Sequence, residues 1–287
     1  MVQTCTGNLT LFSCPKPFVG HDGIIQRNAL ANWRALGIPG ILLGNDSGVA
    51  EAAQEYGFLH IPDVSLSSYG TPLLSDIFNL AQSAATTNLV CYINADILLF
   101  ETVIDVADIA AQQFPDFLIV GQRWNANIKD QFAPSVDWRE TLFRILREES
   151  TLNTPWGMDY FIFPRGMIEM PPFIIGRPRW DNWMVWDARR KGIPIIDATD
   201  FLPIIHQNHG YEHIPGRVTN YWDKSPESIE NQQIVDSLCP DIVLALANVH
   251  YAPWCFTQNG HIERNMSARK LLWLQSASEE LDAKQHM

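Results

Sequence analysis

The chain is poor in positive charge. Of its 287 residues, 20 are Lys or Arg and 32 are Asp or Glu, giving a net charge of -12, and no stretch is strongly basic. A nucleic-acid binder needs a cationic footprint for phosphates, so this composition argues against that class. It also provides no polybasic patch for anionic lipid. No apolar run approaches the ~20 residues that cross a bilayer, so no transmembrane segment is expected. The five cysteines (Cys5, Cys14, Cys91, Cys239 and Cys255) are scattered and form no CxxC pair. That argues against a disulfide framework or a cysteine zinc site, and for a reducing compartment. The opening MVQTCTGNLTLF has neither the basic nor the apolar region of a signal peptide. The expected location is cytoplasmic, with peripheral contact to a membrane left open. GxGxxG, GxxxxGK[ST], HExxH and GxSxG are all missing, which removes the simplest cases for dinucleotide binding, P-loop, zinc-protease and α/β-hydrolase chemistry.

The chain does have the means to build a core: 46% of residues are hydrophobic and only 18% charged. Strand-like and helix-like segments alternate through the first half. LTLFSCP, GILLGNDSG, FLHIPDVS, NLVCYINADILLF and FLIVGQRW read as strands. Between them, IIQRNALANWRAL, VAEAAQEYG, PLLSDIFNLAQSAA and TVIDVADIAAQQF have apolar residues at helical spacing. Repeated strand–helix units predict an α/β fold with a mixed, mostly parallel sheet flanked by helices. One domain is expected over 1–287, with a first half at 1–127 and a second at 128–287 that ends in a helical tail. Ligands of such sheets bind at the carboxyl ends of the strands. Four polar segments fall there: Pro15-Lys16-Pro17, Asn45-Asp46-Ser47, Ser67 to Thr71, and Asn94-Ala95-Asp96.

Four constellations could carry chemistry. Asn94 and Asp96 interrupt a very apolar strand; at i and i+2 of an extended chain they would point the same way, toward a divalent cation, or Asp96 would cap the next turn. Trp180-Asp181-Asn182-Trp183 opens a helix after a Pro-rich loop. Asp181 is either a plain N-cap or, desolvated between aromatics, a general base; exposed indoles there would be platforms for sugars. His206, Gln207, Asn208 and His209, with Tyr211 and His213, cluster in a chain that has eight histidines. They are metal ligands, phosphate donors or hydrogen-bonded loop residues. Asp159 either orients a substrate hydroxyl or satisfies backbone donors.

Taken in order over roughly residues 8 to 215, SCPKPF, GNDSG, the NAD of 94–96, GMDYFIF, WDN and HQNH resemble the GT-A type of nucleotide-sugar-dependent glycosyltransferases. The resemblance implies a nucleotide-binding half at 1–127 and an acceptor-binding half after it. Asp96, in a DxD-like motif that has Asn94 at its first position, would bind Mn2+ or Mg2+ with His206 as a second ligand. Pro15, Lys16 and Asp46 would hold the nucleoside of a nucleotide-diphosphate sugar, a UDP-sugar by family expectation. Asp181 would act as general base for an acceptor hydroxyl of a glycan or small molecule, with inversion. Asp159, Trp180, Asn182, Trp183 and His209 would position the sugars. The competing readings are a non-catalytic carbohydrate-binding protein, which the ten tryptophans would suit, and a sugar nucleotidyltransferase, whose glycine-rich basic signature CPKPFVGHDG matches poorly.

Overall fold

A computed structural model describes residues 8–131, 138–210, 224–238 and 247–266. The first strand, β1 (Leu9–Ser13), lies inside the main sheet between two parallel neighbours. Helix α1 (Gly20–Ala35) leads to β2 (Gly40–Leu43), α2 (Val49–Tyr56) to β3 (Leu59–Ile61), and α3 (Leu74–Ala84) to β4 (Leu89–Ile93). Strands β1 to β4 pair in parallel. The expected long strand through residue 99 is instead two: the chain turns at Asn94–Asp96 and resumes as β5 (Ile97–Leu99) in a different sheet. Past it come α4 (Thr102–Gln113), β6 (Leu118–Val120), β7 (Trp124–Ala126), α5 (Trp138–Arg144) with a π-helical turn (Ile145–Glu149), and β8 (Ser150–Leu152). The remaining elements are β9 (Tyr160–Pro164), α6 (Trp180–Arg190), β10 (Ile195–Asp197), β11 (Ile204–Gln207), α7 (Pro226–Leu238), β12 (Trp254–Phe256) and β13 (Ile262–Arg264). The tail predicted helical lies beyond 266 and outside the described residues.

The main sheet runs β13-β12-β10-β6-β9-β4-β1-β2-β3. It is mostly parallel, with β9 antiparallel between β4 and β6 and β13 antiparallel at one edge. Strands from both halves of the chain therefore share one sheet, and the α/β class with helices on both faces is the one observed. A smaller sheet, β5-β11-β7-β8, was not foreseen; its strands are only three or four residues long, too short to give a clear alternation.

Period-two alternation assigns the two faces. Val90, Tyr92, Phe161 and Phe163 point to one face, where they pack with Ile77 and Phe78 of α3 and Met184 and Val185 of α6. Leu89, Cys91, Tyr160 and Ile162 point to the other, under Leu30 and Trp33 of α1 and Val103 and Val106 of α4. A buried side chain of this size contributes about 1.5–3 kcal/mol by leaving water. Rings also meet edge-on, as in Phe12–Phe78 at 5.1 Å between centroids, a favoured aromatic geometry. Among the described residues no helix is long and apolar enough to cross a membrane.

Candidate active site

At the carboxyl ends of β1, β2 and β4 lies a cavity of about 640 Å³. The polar strand ends converge on it as the topology requires: Pro15, Lys16, Asp46, Thr71, Asn94 and Asp96 all line it. The Lys16 loop is held in place by Gln26 of α1, whose side chain accepts from the Lys16 N–H at 2.8 Å and donates to its carbonyl at 3.0 Å. Gly48, at φ 87°, opens α2 where an added Cβ would lie 2.7 Å from Phe18 Cβ. Only glycine allows the Asp46 loop to approach the Lys16 loop this closely. Burial raises the Asp46 carboxyl above its ordinary pKa.

The turn after β4 builds the cavity floor. The Ile97 N–H donates to the Asn94 carbonyl at 3.2 Å, so the stretch turns and is not extended. Asn94 instead donates its side-chain N–H to Asp159 at 2.6 Å and accepts from the Tyr92 hydroxyl at 3.2 Å. Its oxygen and its nitrogen each have a partner within the protein. Asp159, just before β9, is also held by Arg123 through bonds of 2.8 and 3.0 Å. Asp159 is buried, at 7% exposure, and Arg123 is partly buried, at 17%. Arg123 had no motif to announce it: it follows a three-residue strand and acquires meaning only across the sheet.

Asp96 faces the histidines of β11 and the residues after it. His209 Nε2 lies 3.1 Å and His206 Nε2 3.7 Å from Asp96 Oδ2, because β11 pairs antiparallel with β5 and sets His206 opposite Ile97. Gln207, fully buried, donates to the Asp96 carbonyl from its backbone N–H at 3.3 Å and from its side chain at 3.0 Å, and so fixes the turn. Burial alone would raise the Asp96 carboxyl; the neighbouring imidazoles of His206 and His209, with Lys16, outweigh it and hold the carboxyl below its usual range. Burial pushes His206 down toward neutrality, whereas the hydrogen bond to Asp96 raises His209. Asp96, His206 and His209 offer ligand atoms within 4.8 Å of one another. Asp96 Oδ1 and His206 Nδ1 are buried without a hydrogen-bond partner. A carboxylate and two imidazoles whose ligand atoms lie this close together are a donor set suited to a cation. His209, expected among the sugar contacts, belongs to this cluster. Tyr211 and His213 lie outside the described residues.

Asp181 borders the same cavity from the first turn of α6. It accepts from the Asn182 N–H at 2.9 Å. Loss of solvation raises its pKa to about 6, an effect to which the charge of Asp159 adds and which these backbone bonds and Arg179 only partly oppose. The residue before the helix, Arg179, has φ 93°, the only non-glycine with positive φ among the described residues. It is braced by α7: Arg179 donates to Gln232 at 2.7 Å, and buried Asn231 donates to the Pro178 carbonyl at 3.1 Å. Glu227 of α7 pairs with Arg177 and accepts from Thr71.

The tryptophans expected as sugar platforms depart from that role. Trp180 and Trp183 are only 7% and 5% exposed; Trp180 packs on Tyr92 and Phe161 at the cavity wall, and Trp183 packs on Phe173 in the core. Asn182 does not reach the cavity, because its side chain donates to the Ala247 carbonyl at 2.6 Å. The exposed indole on the cavity rim is Trp156, at 54%.

No protein-family model matches the chain, and no curated protein sequence matches it. Among solved structures, glucosyl-3-phosphoglycerate synthase of M. tuberculosis is similar with a TM-score of 0.47 and 12% identity, over 82% of each chain. The same enzyme in complex with Mg2+ and uridine diphosphate gives 0.42 and 12%, over 72% of this chain and 74% of that one. TarS 1–349 of S. aureus gives 0.37 and 12%, over 57% and 50%. Likeness of this degree does not transfer a ligand or an activity to the chain.

Proposed function

We propose that this chain is a glycosyltransferase that moves a sugar from a nucleotide-diphosphate sugar to an acceptor hydroxyl, with Asp181 as the general base. One observation carries the reading: a carboxylate with pKa raised to about 6 and a carboxylate–imidazole cluster suited to a cation line the same cavity at the carboxyl ends of parallel strands.

The mechanism follows from these residues. Lys16 and Asp46, on loops pinned to each other and to Gln26, bind the nucleoside and orient it. Asp96, His206 and His209 would hold a divalent cation, which supplies charge neutralisation of the departing diphosphate. Asp181 is ionised at neutral pH, yet its pKa is high enough to take a proton readily. It removes the acceptor hydroxyl's proton as that oxygen forms its bond to the anomeric carbon, while the bond from that carbon to the diphosphate oxygen breaks. A positioned base of this kind contributes about 10²–10⁴-fold. Asp159 is fully engaged by Arg123 and Asn94 and so is a poor nucleophile. With Asp181 serving as base and Asp159 tied up in this way, a single displacement with inversion is favoured. Trp156, at the open rim, gives an apolar face for a sugar ring.

The test is calorimetric titration with UDP and with GDP, each in Mn2+ and in EDTA. Cation-dependent binding of one nucleotide, lost in Asp96→Ala while the fold is retained, is expected. No binding of either by folded protein would favour a glycan-binding module and remove the donor assignment.

A further inference from the structure

We infer that α7 positions the proposed base: Asn231 and Gln232 hold the segment before α6 so that Arg179 keeps its positive φ and α6 starts with Asp181 at the cavity wall. The inference rests on Asp181 being the base and goes beyond that reading, because neither Asn231 nor Gln232 lines the cavity.

The argument begins with what α7 buries. Its buried residues are Ser228, Asn231 and Val235, so two of the three are polar. A helix docked by the hydrophobic effect buries an apolar stripe, and here Val235, with Ile234 partly buried beside it, is a small one. A buried amide costs free energy unless its bonds are made. Asn231 makes them to one short stretch of chain. It accepts from the Ile174 N–H at 2.8 Å and donates to the Ile174 and Pro178 carbonyls, each at 3.1 Å. Gln232 accepts from Arg179 Nε at 2.7 Å. One turn earlier, Glu227 accepts from Arg177 Nε at 2.8 Å and from the Thr71 hydroxyl. The contacts of α7 thus converge on the segment that leads into α6.

That segment needs the support. Its start is anchored by backbone bonds: the Leu74 N–H donates to the Phe173 carbonyl at 2.8 Å and the Ile175 N–H to the Pro72 carbonyl at 3.1 Å. Past this anchor the chain turns at Gly176, with φ 69°, and reaches Arg179, with φ 93°. Glycine takes positive φ freely; a residue with a Cβ does so at a cost, and keeps it only where its surroundings over-determine it. The bond from Asn231 to the Pro178 carbonyl fixes the peptide plane before Arg179, and Gln232 fixes the Arg179 side chain. On the far side, the Arg179 carbonyl accepts from the Trp183 N–H at 2.8 Å and so begins α6. Relaxation of Arg179 to negative φ would swing the first turn of α6, and Asp181 with it. Misplacing a reacting group by about 1 Å can cost about 10²-fold in rate.

The test follows the Asp181 carboxyl directly. The charged groups that act on it are Asp159, before β9, and Arg179 itself, and the Tyr92 hydroxyl of β4 feels its charge. The full chain, without nucleotide, is titrated with pH and read by carboxyl-carbon NMR, with Asp181→Asn to assign the signal. The wild-type midpoint should lie at about 6. Gln232→Ala keeps the Arg179 charge but frees its side chain. The first turn of α6 should then open to water, and the midpoint should fall by about one unit or more toward 3.8. Gln232→Glu keeps an acceptor oxygen and should return the midpoint to within about half a unit of the wild type. A helix that only adds stability would lower the melting temperature in Gln232→Ala and leave the midpoint where it was.

A second pair of variants separates backbone from charge. Arg179→Gly and Arg179→Ala lose the same cation, but only glycine holds φ 93° freely. The midpoint should be lower in Arg179→Ala than in Arg179→Gly, and the Trp183 N–H should exchange faster with deuterium there. An unmoved midpoint in folded Gln232→Ala, or equal midpoints in the two Arg179 variants, would overturn the inference. If Gln232→Ala does not fold, the Arg179 pair decides. Neither readout needs sugar transfer. Shifted midpoints in a chain that transfers no sugar would remove only the assignment of the base; unmoved midpoints in a chain whose transfer depends on Asp181 would remove only the role of α7.

Discussion

Two walls of the cavity treat a carboxylate in opposite ways. On the β4–β9 wall, Asp159 receives two bonds from Arg123 and one from Asn94. On the α6 wall, Asp181 has backbone N–H groups and no side-chain partner strong enough to offset its burial, so its pKa rises to about 6. The first wall ties its carboxylate into an ion pair; the second keeps a group that can take a proton near neutral pH. The same contrast separates Asn94 from Asp96 one turn away: one is absorbed into the wall, the other is left with an unpaired oxygen.

The largest effect should come from the open wall. Asp181→Asn keeps the shape and removes the base, so transfer should fall about 10²–10⁴-fold with nucleotide affinity unchanged by calorimetry. Retention of most activity would assign the base elsewhere. The compensated wall can be broken from the other side. Arg123→Met leaves the Asp159 charge without its cation, and breaking a buried pair costs about 3–5 kcal/mol; for this partly buried pair the loss should be toward or below the lower end, read by urea unfolding. Adding Asp159→Asn should recover much of that loss; if Arg123→Met is neutral, the wall is not held by this pair.

The pH dependence sharpens the contrast. If Asp181 must be ionised, kcat/KM should fall about tenfold per pH unit below about 6; a flat profile down to pH 5 would contradict the assignment. Stability moves the other way. The folded state holds the Asp181 proton more tightly than the unfolded chain, whose carboxyl is near 3.8. The stability so gained is present below about pH 4 and lost as pH rises through about 6. Asp181→Asn should therefore be more stable than the wild type at pH 8, by up to about 3 kcal/mol and less where the carboxylate meets the open cavity; thermal melts at pH 8 would detect the gain. The smallest effect is expected for Asn182→Ala. It loses the bond to the Ala247 carbonyl, worth about 1 kcal/mol, and kinetic constants for donor and acceptor should not move.

The sheet class was legible because long helices and apolar strands repeat with clear periods. The convergence of Lys16, Asp46 and Asp96 followed from topology alone. A strand end at Asn94–Asp96 was legible, but the passage there into a second sheet was not: apolar residues flank the segment on both sides, and an apolar run does not reveal where the chain leaves one sheet for another. Arg123 was invisible for a related reason, and Gln207, singled out only beside the histidines, had a role in the turn that could not be read, since their partners lie 36 and 111 positions away in the chain. The tryptophans of WDNW were misplaced because the helical period sets Trp180 and Trp183 on the face that meets the sheet. Burial there removes the exposed indole faces that a sugar would need.

The central claim is that this cavity activates a nucleotide-diphosphate sugar and that Asp181 supplies the base. Its most direct test is release of nucleoside diphosphate from a panel of UDP- and GDP-sugars with Mn2+, followed by mass spectrometry for the wild type and for Asp181→Asn. The account predicts release from donors of one nucleotide by the wild type, and near-complete loss in a variant that still binds the nucleotide. Absence of release from every donor, or equal release by the variant, would contradict it.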